Sequence, residues 1–201
     1  ARLRESLASF QAACKKLSAA RKSAAKALSE RVSALMQTLG MPGGKFVVEV
    51  TALAPEDATQ TGADDIEFLV SANPGQPPRS LAKVASGGEL SRISLAIQVA
   101  AAQTETLPCM VFDEVDAGVG GGVAEIVGRQ LRTLGDRTQV LCVTHLPQVA
   151  SQAHAHVRVS KLTDGKTTRT SLHPLNKDER IEEIARMLGG IDITERARAH
   201  K

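Results

Sequence analysis

Three short runs in this 201-residue sequence carry side chains suited to phosphate chemistry: Ser86-Gly87-Gly88-Glu89, Asp113-Glu114 and Thr144-His145. Two consecutive glycines after a serine strip side chains from a helix start, so that bare amides and the positive helix end can approach an anion. The same run also reads as a capping box, Ser86 accepting from the amide three residues on and Glu89 reaching back. Such a box does not require the glycines, which favour the anion contact. Asp113 and Glu114 follow the apolar run Cys109-Met110-Val111-Phe112 and so stand at the carboxyl end of a strand, where open α/β sheets bind ligands. There Asp113 suits a magnesium ion, directly or through water, and Glu114 suits the polarisation of an attacking water. His145 closes the run from Val140 to Thr144 and would reach the γ-phosphate edge from the neighbouring strand. Read singly, the acidic pair also fits an exposed turn, and the histidine fits one satisfied by local backbone. Asp116-Ala117-Gly118, with Gly120 to Gly122 behind it, reads as a flexible loop or as a segment crossing a subunit boundary.

A phosphate-cradling loop of the form GxxxxGK[ST] is missing. The nearest approach, Gly43-Gly44-Lys45, is followed by Phe46 rather than by a hydroxyl. The chain therefore reads as supplying catalytic groups without holding the nucleotide by itself. It starts at Ala1 and stops at Lys201 within helix-forming Thr194-Glu195-Arg196-Ala197, so it reads as a fragment. No apolar run of about 18 residues offers a membrane span, and no charged-then-apolar leader marks export. Cys14, Cys109 and Cys142 show no CxxC spacing and behave as small hydrophobes. A cytoplasmic protein is expected.

The elements that must position these groups follow from the spacing of apolar residues. Leu3, Phe10, Leu17, Ala24 and Arg31 recur every seven residues, as do Leu7, Cys14, Arg21, Leu28 and Leu35; eight of the ten are apolar, which implies a partner helix. Near its end the seam reads better as Leu28, Val32, Leu35 and Leu39, a stutter, before Gly40, Pro42 and Gly43-Gly44 stop the helix. Residues 1–40 are thus a coiled-coil helix and 41–201 a domain. Between Arg2 and Arg31 eight basic residues face two acids; this is a solvated face or an electrostatic contact with DNA that salt would weaken. With four Phe and neither Trp nor Tyr, stacking on unpaired bases is not expected. Phe46-Val48-Val50 and Ile66-Phe68-Val70 alternate with Glu49, Thr51, Glu67 and Ser71 as a half-buried antiparallel pair. From Ser86 the pattern becomes α/β. Helical stripes at Leu90, Ile93, Ile97 and Ala100 and at Val123, Ile126, Val127, Leu131 and Leu134 alternate with the strands Cys109 to Phe112 and Val140 to Val143, as in a parallel sheet covered on both faces. A hairpin over His156 to Ser160 and Thr168 to Leu172, across Asp164-Gly165, precedes a last helix with Ile181, Ile184, Ala185 and Leu188, ended by Gly189.

The order of signature, acidic pair, Asp116 loop and histidine resembles that of the ABC-type ATPases. Within that superfamily, Glu89 at the signature's end, the preceding coil and the missing P-loop resemble the SMC-like DNA-maintenance proteins. More narrowly, Asn73-Pro74-Gly75, Leu81 to Arg92, Val111 to Gly121 and His145-Leu146-Pro147-Gln148 are similar to the bacterial recombinational-repair members of that branch, a likeness covering Gly40 to Lys201. The resemblance implies the carboxy-terminal half of a P-loop-NTPase-like head, and an ATPase in the complete protein that is inactive as this chain alone. It also implies ATP and Mg2+ as cofactors. The implied partners are an amino-terminal half with the P-loop, a second head in a homodimer, and DNA at the nucleoid, with no membrane. By the motif pattern Ser86, Gly87, Gly88 and Glu89 would meet the γ-phosphate on the opposite head, Asp113 would serve magnesium, Glu114 would be the base, Asp116 would signal across the dimer and His145 would sense the γ-phosphate. Two other readings stay open. A transporter ATPase would have its P-loop upstream in the same domain and no heptad seam; a cohesin-like structural module with a vestigial site would not need Glu114.

Overall fold

Thirty-seven residues rich in Ala, Leu, Lys and Arg, with no Pro or Gly among them, make the first helix, α1 (Arg2–Thr38), about 55 Å long. The computed structural model describes residues 2–84, 87–101, 107–163 and 168–189. These fall into two units, Ala1–Glu105 and Thr106–Lys201. Ser86, the link Asp164-Gly165 and the helix start expected at Thr194 lie outside the described residues.

In the first unit α1 is followed by β1 (Lys45–Ala52), β2 (Asp64–Ser71), the two-residue β3 (Arg79–Ser80) and α2 (Gly87–Ala101). The order β1-β2-β3 is antiparallel throughout. Phe46 pairs with Val70, Val48 with Phe68 and Val50 with Ile66, so the apolar residues share one face as their alternation predicts. Burial concentrates at one end: Phe46 and Val70 are buried while Ile66 and Phe68 are exposed. The core consists of Val32, Met36, Leu39, Met41 and Phe46, with Ile93, Leu95 and Ala96 from α2.

A row of polar residues on α1 closes the open edge of β1. Ser29 Oγ accepts from the Val48 amide at 2.9 Å, and Ser33 Oγ accepts from the Phe46 amide at 2.9 Å and donates to the Phe46 carbonyl at 3.2 Å. One step on, Gln37 accepts from the Gly43 amide at 2.6 Å and donates to the Gly44 carbonyl at 2.8 Å. The spacing explains the fit: four helical residues rise about 6 Å and two strand residues about 6.7 Å. The helix thus stands where a further strand would pair, and it covers an edge that would otherwise be left open.

A second anchor lies farther along α1. Ser18 donates to Asp64 Oδ1, Arg21 Nη1 lies 3.0 Å from Asp64 Oδ2 and Arg21 Nη2 donates to the Thr61 carbonyl at 2.7 Å. The Ser18 hydrogen bond, with Arg21 adding to it against the opposing effect of burial, holds the Asp64 carboxyl below its usual range. Gly62, at φ +118°, is required here: a Cβ would lie 2.8 Å from Arg21 Nη1 and 3.0 Å from Leu17 Cδ2. Beyond this anchor Leu3, Leu7 and Phe10 remain exposed, as unpartnered positions of a heptad seam are.

The second unit begins with β4 (Cys109–Phe112), followed by α3 (Gly121–Gly135), β5 (Gln139–Cys142) and the short α4 (Pro147–Ala150). β4 and β5 are parallel, Phe112 opposite Cys142. Ala124, Val127, Leu131 and Leu134 form the buried stripe of α3. At Gly128 a Cβ would come within 2.8 Å of Gln152 Cγ and 3.2 Å of the Gln148 carbonyl, so glycine lets α3 and α4 approach closely. Helical cover reaches one face of the β4–β5 pair. On the other, Val111, Leu141 and Val143 are 67%, 52% and 63% exposed, where the sequence pattern predicts cover on both.

The hairpin of β6 (Val157–Thr163) and β7 (Thr168–Pro174) and the helix α5 (Lys177–Gly189) complete the unit. Arg180 ties α5 to the turn after α4, its guanidinium donating to the carbonyls of Ala150, Ser151, Ala153 and His154 at 3.2, 2.8, 2.6 and 3.4 Å. Buried Glu183 is gripped by Arg186 at 2.6 and 3.0 Å. That hydrogen bonding holds its carboxyl below the usual range against the effect of burial.

Candidate functional site

The parallel pairing of β4 and β5 brings two strand ends side by side, with the Val143 amide donating to the Phe112 carbonyl at 2.9 Å. Beyond that bond one chain continues as Asp113-Glu114-Val115-Asp116 and the other as Thr144-His145. Asp113 and Glu114 are exposed. Glu114 has φ 56°, the one positive value at a non-glycine position among the described residues. This conformation costs roughly 1–2 kcal/mol for a residue with a Cβ. A sharp turn follows from it: the Ala117 amide donates to the Glu114 carbonyl at 3.0 Å and the Val119 amide to the Asp116 carbonyl at 3.3 Å.

That turn sends Val115 and Asp116 inward, at 0% and 2% exposure. The sequence reads Asp116 as part of a flexible loop or of a segment crossing a subunit boundary; the turn that follows Glu114 buries it beside Thr144. Asp116 Oδ2 accepts a hydrogen bond from Thr144 Oγ1 and lies 3.8 Å from His145 Nδ1. Thr144 Oγ1 also accepts from the Leu146 amide at 3.0 Å. The His145 side chain is 75% exposed. Burial, with the charges of Asp116 and Asp113 adding to it, pushes the Cys142 thiol up to about 12, so this cysteine stays protonated near neutrality.

Gly87, Gly88 and Glu89 open α2 in the first unit, Gly88 buried and Gly87 exposed; the acids and His145 belong to the second. Asp113 is exposed, and no cluster of three metal-ligating side chains occurs among the described residues. This donor set fits magnesium, which is commonly held by one or two carboxylates together with substrate phosphates. It does not form a closed cage. Two hollows lie elsewhere. One, of about 430 Å3, is lined by Cys14, Lys15, Ser18, Lys22 and Leu53 among others; the other, of about 380 Å3, lies beside Arg158, Glu183 and Arg186. Asp113, Glu114 and His145 are all exposed. Thr144, which the sequence names only as part of the run Thr144-His145 and without a role of its own, supplies the hydroxyl that meets Asp116.

A long helix leading into an antiparallel layer, followed by a parallel α/β unit, is the fold of SMC head domains. The Smc head domain with an extended coiled coil from Pyrococcus furiosus, solved bound to the C-terminal domain of ScpA, is similar at a TM-score of 0.57 and 22% identity, over 85% of this chain and 40% of that one. No family model matches the sequence. The chain belongs to the RecN family. It is 50% identical over 198 residues to the DNA repair protein RecN of Xylella fastidiosa, covering 98% of this chain and 36% of that protein. To the DNA repair protein RecN of Vibrio cholerae it is 50% identical over 186 residues, covering 92% and 33%. The chain thus spans about a third of the length of these relatives.

Proposed function

We propose that this chain is the carboxy-terminal lobe and returning coil of an SMC-like ATPase that acts in the recombinational repair of DNA double-strand breaks. The observation that carries the reading is the adjacency of Asp113-Glu114 and Thr144-His145 at the ends of paired parallel strands. Glu114 takes the proton of the attacking water, a role suited to an exposed carboxylate at the lip of a sheet. His145 meets the γ-phosphate edge, and Ser86, Gly87, Gly88 and Glu89 contact the phosphate bound to the opposite head. Asp113 holds Mg2+, which when bound neutralises charge on the triphosphate. Asp116 couples the histidine to the loop facing the other head.

The P-loop comes from an amino-terminal part of the full-length protein. Exposed Val111, Leu141 and Val143 give that part an apolar face to cover, and burying three such side chains supplies several kcal/mol. No helix among the described residues is long and apolar enough to cross a membrane. The exposed basic side chains Lys15, Lys16, Lys22 and Lys26 of α1 suit an electrostatic contact with DNA.

The test is to mix this chain with a separately made fragment carrying the P-loop and to measure ATP turnover. Activity in the mixture and in neither part alone is expected. In the full-length protein Glu114→Gln should retain ATP binding and lose hydrolysis; unchanged turnover would remove the mechanism.

A further inference from the structure

We propose that Asp116 and Thr144 are positioning residues for His145, acting within one chain; this rests on the reading of His145 as the γ-phosphate contact.

The Thr144 hydroxyl has one hydrogen to give. It goes to Asp116 Oδ2, while its oxygen accepts from the Leu146 amide at 3.0 Å. The residues before and after His145 are therefore tied through a single hydroxyl, and that hydroxyl is tied to a carboxylate on the neighbouring strand's extension. Pro147, at the start of α4, fixes the next φ and limits the ways this turn can relax. His145 is held at its backbone from both sides.

One ring nitrogen lies near the same carboxylate. Asp116 Oδ2 lies 3.8 Å from His145 Nδ1, and an ionised carboxylate only accepts. Its nearness favours a proton at Nδ1 and leaves Nε2 for a partner outside the protein. The ring is largely exposed and the carboxylate almost fully buried, with 75% and 2% of the side chains accessible, so the acid is the fixed member of the pair. Its own backbone is framed by the turns at Glu114 and Asp116, and the Phe112–Val143 hydrogen bond sets the separation of the two strand ends. A carboxylate out of water needs compensation; here the Thr144 hydroxyl supplies a hydrogen bond.

The experiment uses the full-length protein, with kcat, KM for ATP, binding of a fluorescent ATP analogue and the thermal midpoint measured for each variant. Thr144→Val removes the hydroxyl at constant shape. Asp116→Asn keeps an acceptor for Thr144 but can turn an NH2 toward Nδ1. Both are expected to lower kcat about 10- to 100-fold, as loss of a partner that orients a metal-bound histidine does, with KM and analogue binding little changed; the midpoint falls in Thr144→Val, which leaves buried Asp116 without its hydroxyl donor, and changes little in Asp116→Asn, so the kcat losses do not track it. Thr144→Ser is expected to restore most of the turnover lost in Thr144→Val. The deciding measurement is a cycle with His145→Ala: once the imidazole is gone, Asp116→Asn should reduce kcat no further. Additive losses in that cycle would overturn the proposal, as would losses tracking the thermal midpoint or a Thr144→Val enzyme with full turnover. Glu114→Gln, measured alongside, separates the two levels. Full turnover in Glu114→Gln removes the underlying reading; a dead Glu114→Gln with an additive His145 cycle removes only the link argued here.

Discussion

Replacing Ser33 by alanine removes both hydrogen bonds that α1 makes to Phe46, the amide at 2.9 Å and the carbonyl at 3.2 Å. Phe46 is 1% exposed, so water cannot readily take the place of the hydroxyl. Leaving a buried amide without its partner costs about 1–3 kcal/mol, and the carbonyl adds to this. Alanine is the better helix former by about 0.5 kcal/mol, which offsets part of the loss. The net expectation for Ser33→Ala is a destabilisation of roughly 1.5–3 kcal/mol. Ser23, exposed on the same helix, provides the control: Ser23→Ala gains the propensity and loses nothing, so it should stabilise by up to about 0.5 kcal/mol. Urea unfolding followed by helical circular dichroism reads both. If the two substitutions shift the midpoint in the same direction by similar amounts, the serine row does not seal β1 and the account of the α1–β1 contact is wrong.

Glu114→Gly relieves the left-handed strain but adds unfolded-state freedom, a net gain of about 0.5–1 kcal/mol with loss of turnover; Glu114→Ala keeps the strain and should show no gain in the same urea titration. Arg180→Ala should cost about 2–3 kcal/mol, because its charged hydrogen bonds to four carbonyls go together, with Arg180→Lys intermediate; thermal melts of the pair check this. Burial lowers the His156 pKa, Arg180 adding to the effect and Glu183 opposing it, so the unfolded chain binds more protons than the folded one. Stability from this group is therefore complete above the unfolded value of about 6.5 and declines as pH falls through it. Melting midpoints from pH 7.5 to 5.5 should drop for the parent and flatten for His156→Gln; identical slopes would refute the assignment.

Much of the framework is legible in residue order. Cys109 to Phe112 is an unbroken apolar run and becomes β4 without adjustment. β5 is shifted by one residue, ending at Cys142 rather than Val143, because the chain turns at once into the Thr144 hydroxyl turn. The helix was legible over its length but not in its facing. The heptad reading favours Leu28, Val32, Leu35 and Leu39, whereas the buried set is Ala25, Val32, Met36 and Leu39, because the last turns pack on β1 and α2 instead of on a partner helix. Ser29 and Ser33 carried no signal, since a hydroxyl that serves a distant strand edge has no local pattern. β3 and α4, of two and four residues, are too short for periodicity to register. Residue types and order put the acids and the histidine at strand ends, where the fold has them side by side. The burial of Asp116 was hidden by the glycines that follow it, which say loop, and only the fold turns that acid inward.

The hydroxyl and amide rungs between α1 and β1 sit on a single row of the helix, four residues apart. A screw motion by one residue would swing that row through about 100° and detach every rung together. Sliding in small increments is thereby forbidden to the arm. It moves together with its strand or gives up the whole row of hydrogen bonds at once.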